Sequence, residues 1–431
     1  MTSDPLPGMA AGEAPAAVTR TTSLHEVRRR LRRAIFRLGK RTYLKVWDLL
    51  ASLQSSKPLQ SGFVLWTSPD DVSRRAPDVA LMPYLCVLQR KTLMEPRRGL
   101  LIADYGVLIE TSVSNAYTAR DPILWEHFGP PSPLKYCKAM VLRRYRTDLK
   151  AVVSLCTAWP SNYFHFYRDF LPKILLLEEA NIDPALDVLV PGDLFDQPFF
   201  QEAIQSKRLS GWNFIPTRGQ FIRSESTVFC SAKQWGLLDR SSASEPEVLS
   251  DAAAGTKFLE APAEVLALLD LEDALSGASP ERRIFLTRSG GRGRNLSNYE
   301  EIEPLLRERK FESVDTDGMS VREQARLFRE CRYLVGIHGA GLVNIIHAYD
   351  HDLSLLELRQ PGEEHLATEY ALMCHSFGFD YREIVGIADP RPPGSMLNGP
   401  GNRFGSFRID VSEFRAAIDN MIMTSSPEPP V

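Results

Sequence analysis

The chain has 431 residues, 44 % of them hydrophobic and 24 % charged, enough to bury a sizeable core and, at this length, to divide into two domains. A formal net charge of -3 argues against nucleic-acid binding through overall positive potential, and no run approaches the ~20 consecutive apolar residues of a membrane span. Six cysteines (Cys86, Cys137, Cys156, Cys230, Cys331, Cys374) form no CxxC pair, which reads as reduced thiols in a cytoplasmic protein, without a disulfide framework or structural zinc.

Residues 1–22, rich in Ala, Pro, Gly and Thr, lack the apolar core of a signal peptide and read as a disordered tail. Residues 23–55 follow with nine Lys or Arg between Arg28 and Lys45, and with Val27, Leu31, Ile35, Leu38, Val46, Leu49 and Leu53 at near-helical spacing. That pattern is a basic amphipathic helix, suited either to an anionic membrane surface, touched through residues 24–53, or to packing on the domain.

Residues 56–238 mix strand-like runs ("SGFVLW", "LLIADYGVLIET", "AVVSLC") with helix-like ones ("YRDFLPKILLLEEA", "PFFQEAIQSKRL") and form one α/β domain. Residues 239–255, poor in large apolar side chains and rich in turn formers, read as a linker. Over 256–410 strand and helix alternate from "RRIFLT" through "YEEIEPLLRER", "FESVDT", "VREQARLFREC", "YLVGI", "LVNIIHAY" and "LSLLEL" to "HLATEYALMCHSFG". Such alternation predicts a parallel sheet covered on both faces. Ser297 with Glu300 and Ser320 with Glu323 have the spacing of helix-starting capping boxes. Residues 411–431 predict a last helix, with packing back across the domain boundary as one option, and a disordered end.

In an open parallel sheet, ligands sit beyond the carboxyl ends of the strands. "YLVGI" delivers His338, Gly339, Ala340 and Gly341 to that edge, followed by Leu342 and Asn344. The glycines suit a tight turn and close backbone approach, and the free N–H groups of the next helix suit a phosphate. "TRSGGRGRN" brings Arg288, Arg292, Arg294 and Asn295 to the same edge with Gly290, Gly291 and Gly293, and fork-shaped guanidinium groups match phosphate oxygens. Two phosphate-suited loops on one edge suggest a diphosphate. No Walker lysine follows the glycines. Glu357, at the end of "LLEL", fits either a ribose diol or a pairing with Arg359 or Arg288.

On the other side of the cleft, a helix from about Ser161 puts Asn162, His165 and Asp169 on one face. His165 backed by Asp169 has the makings of a general base, or of a His–Asp pair that ties the helix down, and Pro172 limits or kinks that helix. Asp315 and Asp317 form a DxD that fits a divalent-ion site or, as the preferred reading, a turn before the helix at Ser320.

Taken together, "NYFHFYRDFLPK", "TRSGGRGRN" and "GIHGAGLVN" resemble glycosyltransferase family 61, over about residues 158–386. The resemblance implies a GT-B architecture, two Rossmann-like domains facing across a cleft, with a nucleotide-sugar donor in the C-terminal domain. It further implies inverting transfer, without an essential metal, in polysaccharide or capsule synthesis; the expected acceptor is a glycan, or a lipid-linked glycan, which would make sense of the basic helix, and no cofactor is expected. Carried onto this chain, it places Arg288, Arg294, Asn295, His338, Gly339, Ala340, Gly341, Leu342 and Asn344 on the donor, and Asn162, His165 and Asp169 toward the acceptor. The expected location is cytoplasmic, with peripheral contact at the inner membrane face as one option. Rival readings are a non-catalytic nucleotide-sugar or polysaccharide-binding protein on the same fold, and a phosphotransferase, which the missing Walker lysine disfavours.

Overall fold

The computed structural model describes residues 145–155, 161–218, 221–230, 257–288, 294–361, 368–389 and 405–424, with the backbone of short strands between 63 and 108. Both predicted disordered ends, the basic helix, the linker and the glycines of "SGGRG" lie outside the described residues.

The N-terminal sheet contains β1 (Phe63–Val64), β2 (Val79–Met82), β3 (Leu85–Leu88), β4 (Thr92–Met94), β5 (Leu101–Ala103), β6 (Gly106–Leu108), β7 (Tyr145–Ser154), β8 (Asp187–Pro191), β9 (Asn213–Thr217) and β10 (Phe221–Cys230). Its heart is the parallel run β10-β7-β8-β9, and β10 carries β3 and β4 antiparallel on its other side. Val188, Leu189 and Val190 of β8 are all fully buried, as expected of a parallel strand with both faces covered.

The C-terminal sheet is parallel throughout, in the order β12 (Glu312–Val314), β11 (Arg282–Leu286), β13 (Cys331–Ile337), β14 (Ser354–Arg359), β15 (Asp380–Val385). Alternate residues feed two cores, because side chains alternate across a strand. Phe285, Val335 and Leu356 face the helices Tyr299–Glu308 and Val411–Thr424, so the last helix covers its own sheet and does not cross to the N-terminal half. Ile284, Leu334 and Leu355 face a second core that also holds Val153, Val188, Val190 and Phe200 of the N-terminal half. One apolar core therefore joins the two sheets.

Two local expectations need revision. Ser297 does not cap its helix: the segment around Phe407 runs alongside and captures it, with Ser297 N–H donating to the Phe407 carbonyl at 2.8 Å and its Oγ–H to Asp389 Oδ1 at 2.9 Å. Asn298 holds the N-cap position and exchanges hydrogen bonds with the Ile409 backbone. The run after the HGAG turn is a 3-10 helix, Ala340–Ala348, and not an α-helix. By contrast Ser320 and Glu323 form the reciprocal box that their spacing predicts.

Candidate functional site

The carboxyl ends of β11, β12 and β13 open onto a cleft of about 960 Å³. Thr287 and Arg288 follow β11, Asp315 to Met319 follow β12, and Gly339 to Gly341 follow β13. The opposite wall comes from the N-terminal half: Ser161 to Tyr163 beyond β7, and Gln197 to Phe199 with Glu202 beyond β8. The carboxyl edges of both sheets thus meet at one space, as the strand-edge rule requires.

At the end of β13, the His338 carbonyl accepts from Arg288 Nη1 at 3.0 Å and from Arg294 Nη1 at 3.5 Å. Arg294 has φ +56, a left-handed conformation at the start of the segment that leads to Leu296. Asn295 is exposed, and its carbonyl accepts from Phe407 N–H at 3.0 Å. The two glycines of HGAG are not there for turning: Gly339 is extended, at φ 170. A Cβ on Gly339 would lie 2.7 Å from Arg288 Nη1, whereas one on Gly341 would make ordinary contacts of 3.4 Å and more. Gly339 is small so that a guanidinium can cross it. The Leu342 N–H already donates to the Gly339 carbonyl at 3.1 Å, which leaves Ala340 and Gly341 as the helix-start N–H groups beside the cleft.

His338 Nδ1 pairs with Glu357 Oε1 at 2.5 Å, and Tyr381 donates to Glu357 Oε2 at 2.7 Å. Glu357 is fully buried, so its carboxylate orients His338 from behind and offers no oxygen to the cleft. Arg359, its suggested partner, forms its ion pair with Glu383. Burial and then the Glu357 charge push the Tyr381 hydroxyl well above its ordinary value. Tyr370 packs edge-on against His338 and donates to the Gly339 carbonyl at 2.6 Å.

Asn344 is fully buried and works as a bridge. Its Oδ1 accepts from Tyr163 Oη at 3.1 Å, and its Nδ2 donates to Gln324 Oε1 at 2.8 Å and to the Gly341 carbonyl at 3.1 Å. The chain of hydroxyls continues from Tyr163 to Tyr167 and on to His347 Nε2. His347 is fully buried, and burial, with Arg329 nearby, lowers its pKa to about 3. It is therefore a neutral imidazole at neutral pH.

The helix after β7 begins at Asn162, whose Oδ1 accepts from Phe164 N–H at 2.9 Å. It runs as Tyr163–His165, then a π turn, Phe166–Phe170, then Leu171–Glu179. Pro172 limits the helix in this way: it lacks an N–H and its ring crowds the carbonyl four residues back, so the preceding turn widens while the helix continues. His165 and Asp169 pair as the spacing predicts. Burial raises the Asp169 pKa, but His165, Arg168 and Lys173 outweigh it and hold the carboxyl below the usual range. Asn162 lines the cleft; His165 lies one turn further in and is not among the cleft-lining residues.

Asp315 and Asp317 both line the cleft, and Asp315 Oδ1 accepts from Asp317 N–H at 2.9 Å, an Asx turn. Glu202 reaches from the N-terminal half to accept from Val321 and Arg322 N–H, at 2.7 and 3.0 Å. Among the described residues there is no group of three or more His, Cys, Asp or Glu that could hold a metal ion. None of the helices among them is long and apolar enough to cross a membrane.

Sequence reasoning missed Tyr163, Phe199, Gln324, Tyr370 and Tyr381, because each reaches the site from an element chosen by tertiary packing. Only Tyr163 had a signal, its place in "NYFHFYRDFLPK". The family model described as Glycosyltransferase 61 matches residues 163–352, from the start of this helix to the loop before β14. No curated protein matches the chain.

Proposed function

Through residues 163–352 the chain belongs to the glycosyltransferase 61 family, and on that premise we propose that it moves a sugar, with inversion, from a nucleotide-sugar donor to a hydroxyl of a glycan acceptor. The observation that carries the donor assignment is the convergence of Arg288 and Arg294 on the His338 carbonyl, beside the helix start at Ala340 and Gly341. Guanidinium forks and unpaired N–H groups suit a diphosphate and stabilise the charge that grows on it as it departs.

In the proposed step the acceptor O–H gives its proton to His165, steadied by Asp169. The acceptor oxygen then forms a bond to the anomeric carbon, and the bond from that carbon to the phosphate oxygen breaks, its electron pair leaving with the nucleoside diphosphate. The transfer is proposed to need no divalent ion, and polysaccharide synthesis is its proposed setting.

The test is thermal unfolding with a panel of nucleoside diphosphates, with and without chelator. A nucleotide at a hundredfold its Kd adds about 2.7 kcal/mol and raises the midpoint by several degrees. The shift is expected to survive chelation and to vanish in Arg288→Ala. With an identified donor, Arg294→Ala should lower turnover by about 10²-fold while the fold survives. No shift with any nucleotide would sink the donor site.

The position of His165 off the cleft wall favours a second reading, a nucleotide-sugar or polysaccharide-binding protein without catalysis. Nucleotide binding with no sugar transfer or donor hydrolysis, and a His165→Ala variant that loses nothing, would decide for it.

A further inference from the structure

Beyond Arg288 and the helix start, the cleft has a second wall of different chemistry. Tyr163 and Phe199 line it from two separate elements of the N-terminal half, each only partly buried, with Pro198 exposed beside them. Their rings meet edge to face, with centroids 5.0 Å apart and planes at 73°. The next residue, Phe200, is fully buried, so the helix Pro198–Ala203 keeps one aromatic ring for the core and leaves the other at the cleft.

Tyr163 is also held rigidly. Its hydroxyl donates to Asn344 inside the protein and contacts Tyr167 Oη at 3.3 Å, so the polar tip is anchored away from the cleft. Asn162 sits next to it at the cleft, and with Oδ1 used by Phe164 N–H its side-chain NH2 has no protein partner among the described residues.

A fixed pair of perpendicular rings with an amide donor at the rim suits a ligand that is apolar on one face and hydroxylated at its edge. We propose that Tyr163, Phe199 and Asn162 form a subsite for a pyranose ring of the acceptor, the ring's C–H face resting on the aromatic pair and a hydroxyl accepting from Asn162. The assignment to the acceptor rests on the glycosyltransferase reading, because this wall belongs to the half that does not carry Arg288 and the donor loops.

Saturation-transfer NMR on the full chain tests it, with methyl glucopyranosides and galactopyranosides as probes and open-chain glucitol as the control. Pyranoside C–H protons are expected to receive saturation, and glucitol is not. Phe199→Ala should weaken pyranoside binding roughly three- to tenfold, the worth of one aromatic contact, and Phe199→Trp should restore it. The nucleoside diphosphate shift should be the same in all three proteins. Equal binding by Phe199→Ala, equal binding of glucitol, or no pyranoside binding at all would overturn the subsite. Displacement of the pyranoside by a nucleotide sugar but not by its nucleoside diphosphate would place the donor's own sugar there and overturn the acceptor assignment. Pyranoside binding that follows Phe199 in a protein that binds no nucleotide would keep the subsite and remove the glycosyltransferase reading.

Discussion

At the scale of single residues, Gly339 and Gly341 stand two positions apart, yet an added methyl group means different things at each. In Gly339→Ala the new Cβ would meet the far end of Arg288 at 2.7 Å, and the guanidinium is the part able to move. That variant should lose about tenfold or more in nucleoside diphosphate affinity, the worth of a charge-assisted hydrogen bond, at nearly unchanged thermal stability. Gly341→Ala should bind like the parent, and isothermal titration of both variants checks the contrast. His347 gives a prediction for pH. Its folded pKa of about 3 lies below the ordinary value of 6.5, so between those values the unfolded chain binds the extra proton. Stability should therefore fall as pH drops below 6.5, by up to about 1.4 kcal/mol per unit from this residue. Asp169, held below its usual range, acts in the same direction, but only in the more acid region where free carboxyls protonate. Urea unfolding between pH 6.5 and 4.5 should show a shallower slope for His347→Gln than for the parent. Identical slopes would mean that the imidazole is hydrated in the fold.

At the scale of elements, strand β13 meets its own continuation. Gly336 lets the 3-10 run fold back, and a Cβ there would lie 2.7 Å from Leu342 Cδ2. Leu342 is fully buried, so Gly336→Ala should cost about 1–3 kcal/mol as an overpacked site, read by chemical denaturation. Helix Val321–Arg329 is capped twice, by its own Ser320 and by Glu202 from the other half. Ser320→Ala should therefore lose about 1 kcal/mol and leave the helix in place, as circular dichroism would record.

At the scale of the whole molecule, the shared core outweighs the division into halves. Val153 and Val188 pack in the same apolar cluster as Leu334 and Leu355, and Tyr163 to Asn344 and Glu202 to Val321 are polar ties across it. A structure whose halves share one core should unfold in a single cooperative transition. Calorimetry and tryptophan fluorescence should coincide; two resolved transitions would mean that each half is stable without the other.

The sequence determined the periodic and local features. Strand and helix alternate after residue 256 as the apolar pattern implies, Ser320 and Glu323 form their box, and His165 meets Asp169 because an i, i+4 spacing on a helix leaves little choice. It also brought Arg288, Arg294 and the HGAG turn to one sheet edge, since a parallel sheet delivers every strand's sequel to the same side. Only the tertiary structure decided what those residues touch. Glu357 proved to stand behind His338, and Asn344 to bridge Tyr163 and Gly341, because burial and partner choice depend on elements up to 181 positions apart in the chain. Ser297 lost its cap role to a segment more than 100 residues later. The need for glycine at 339 arises from Arg288, fifty-one residues upstream, a steric relation that exists only once β11 and β13 lie side by side.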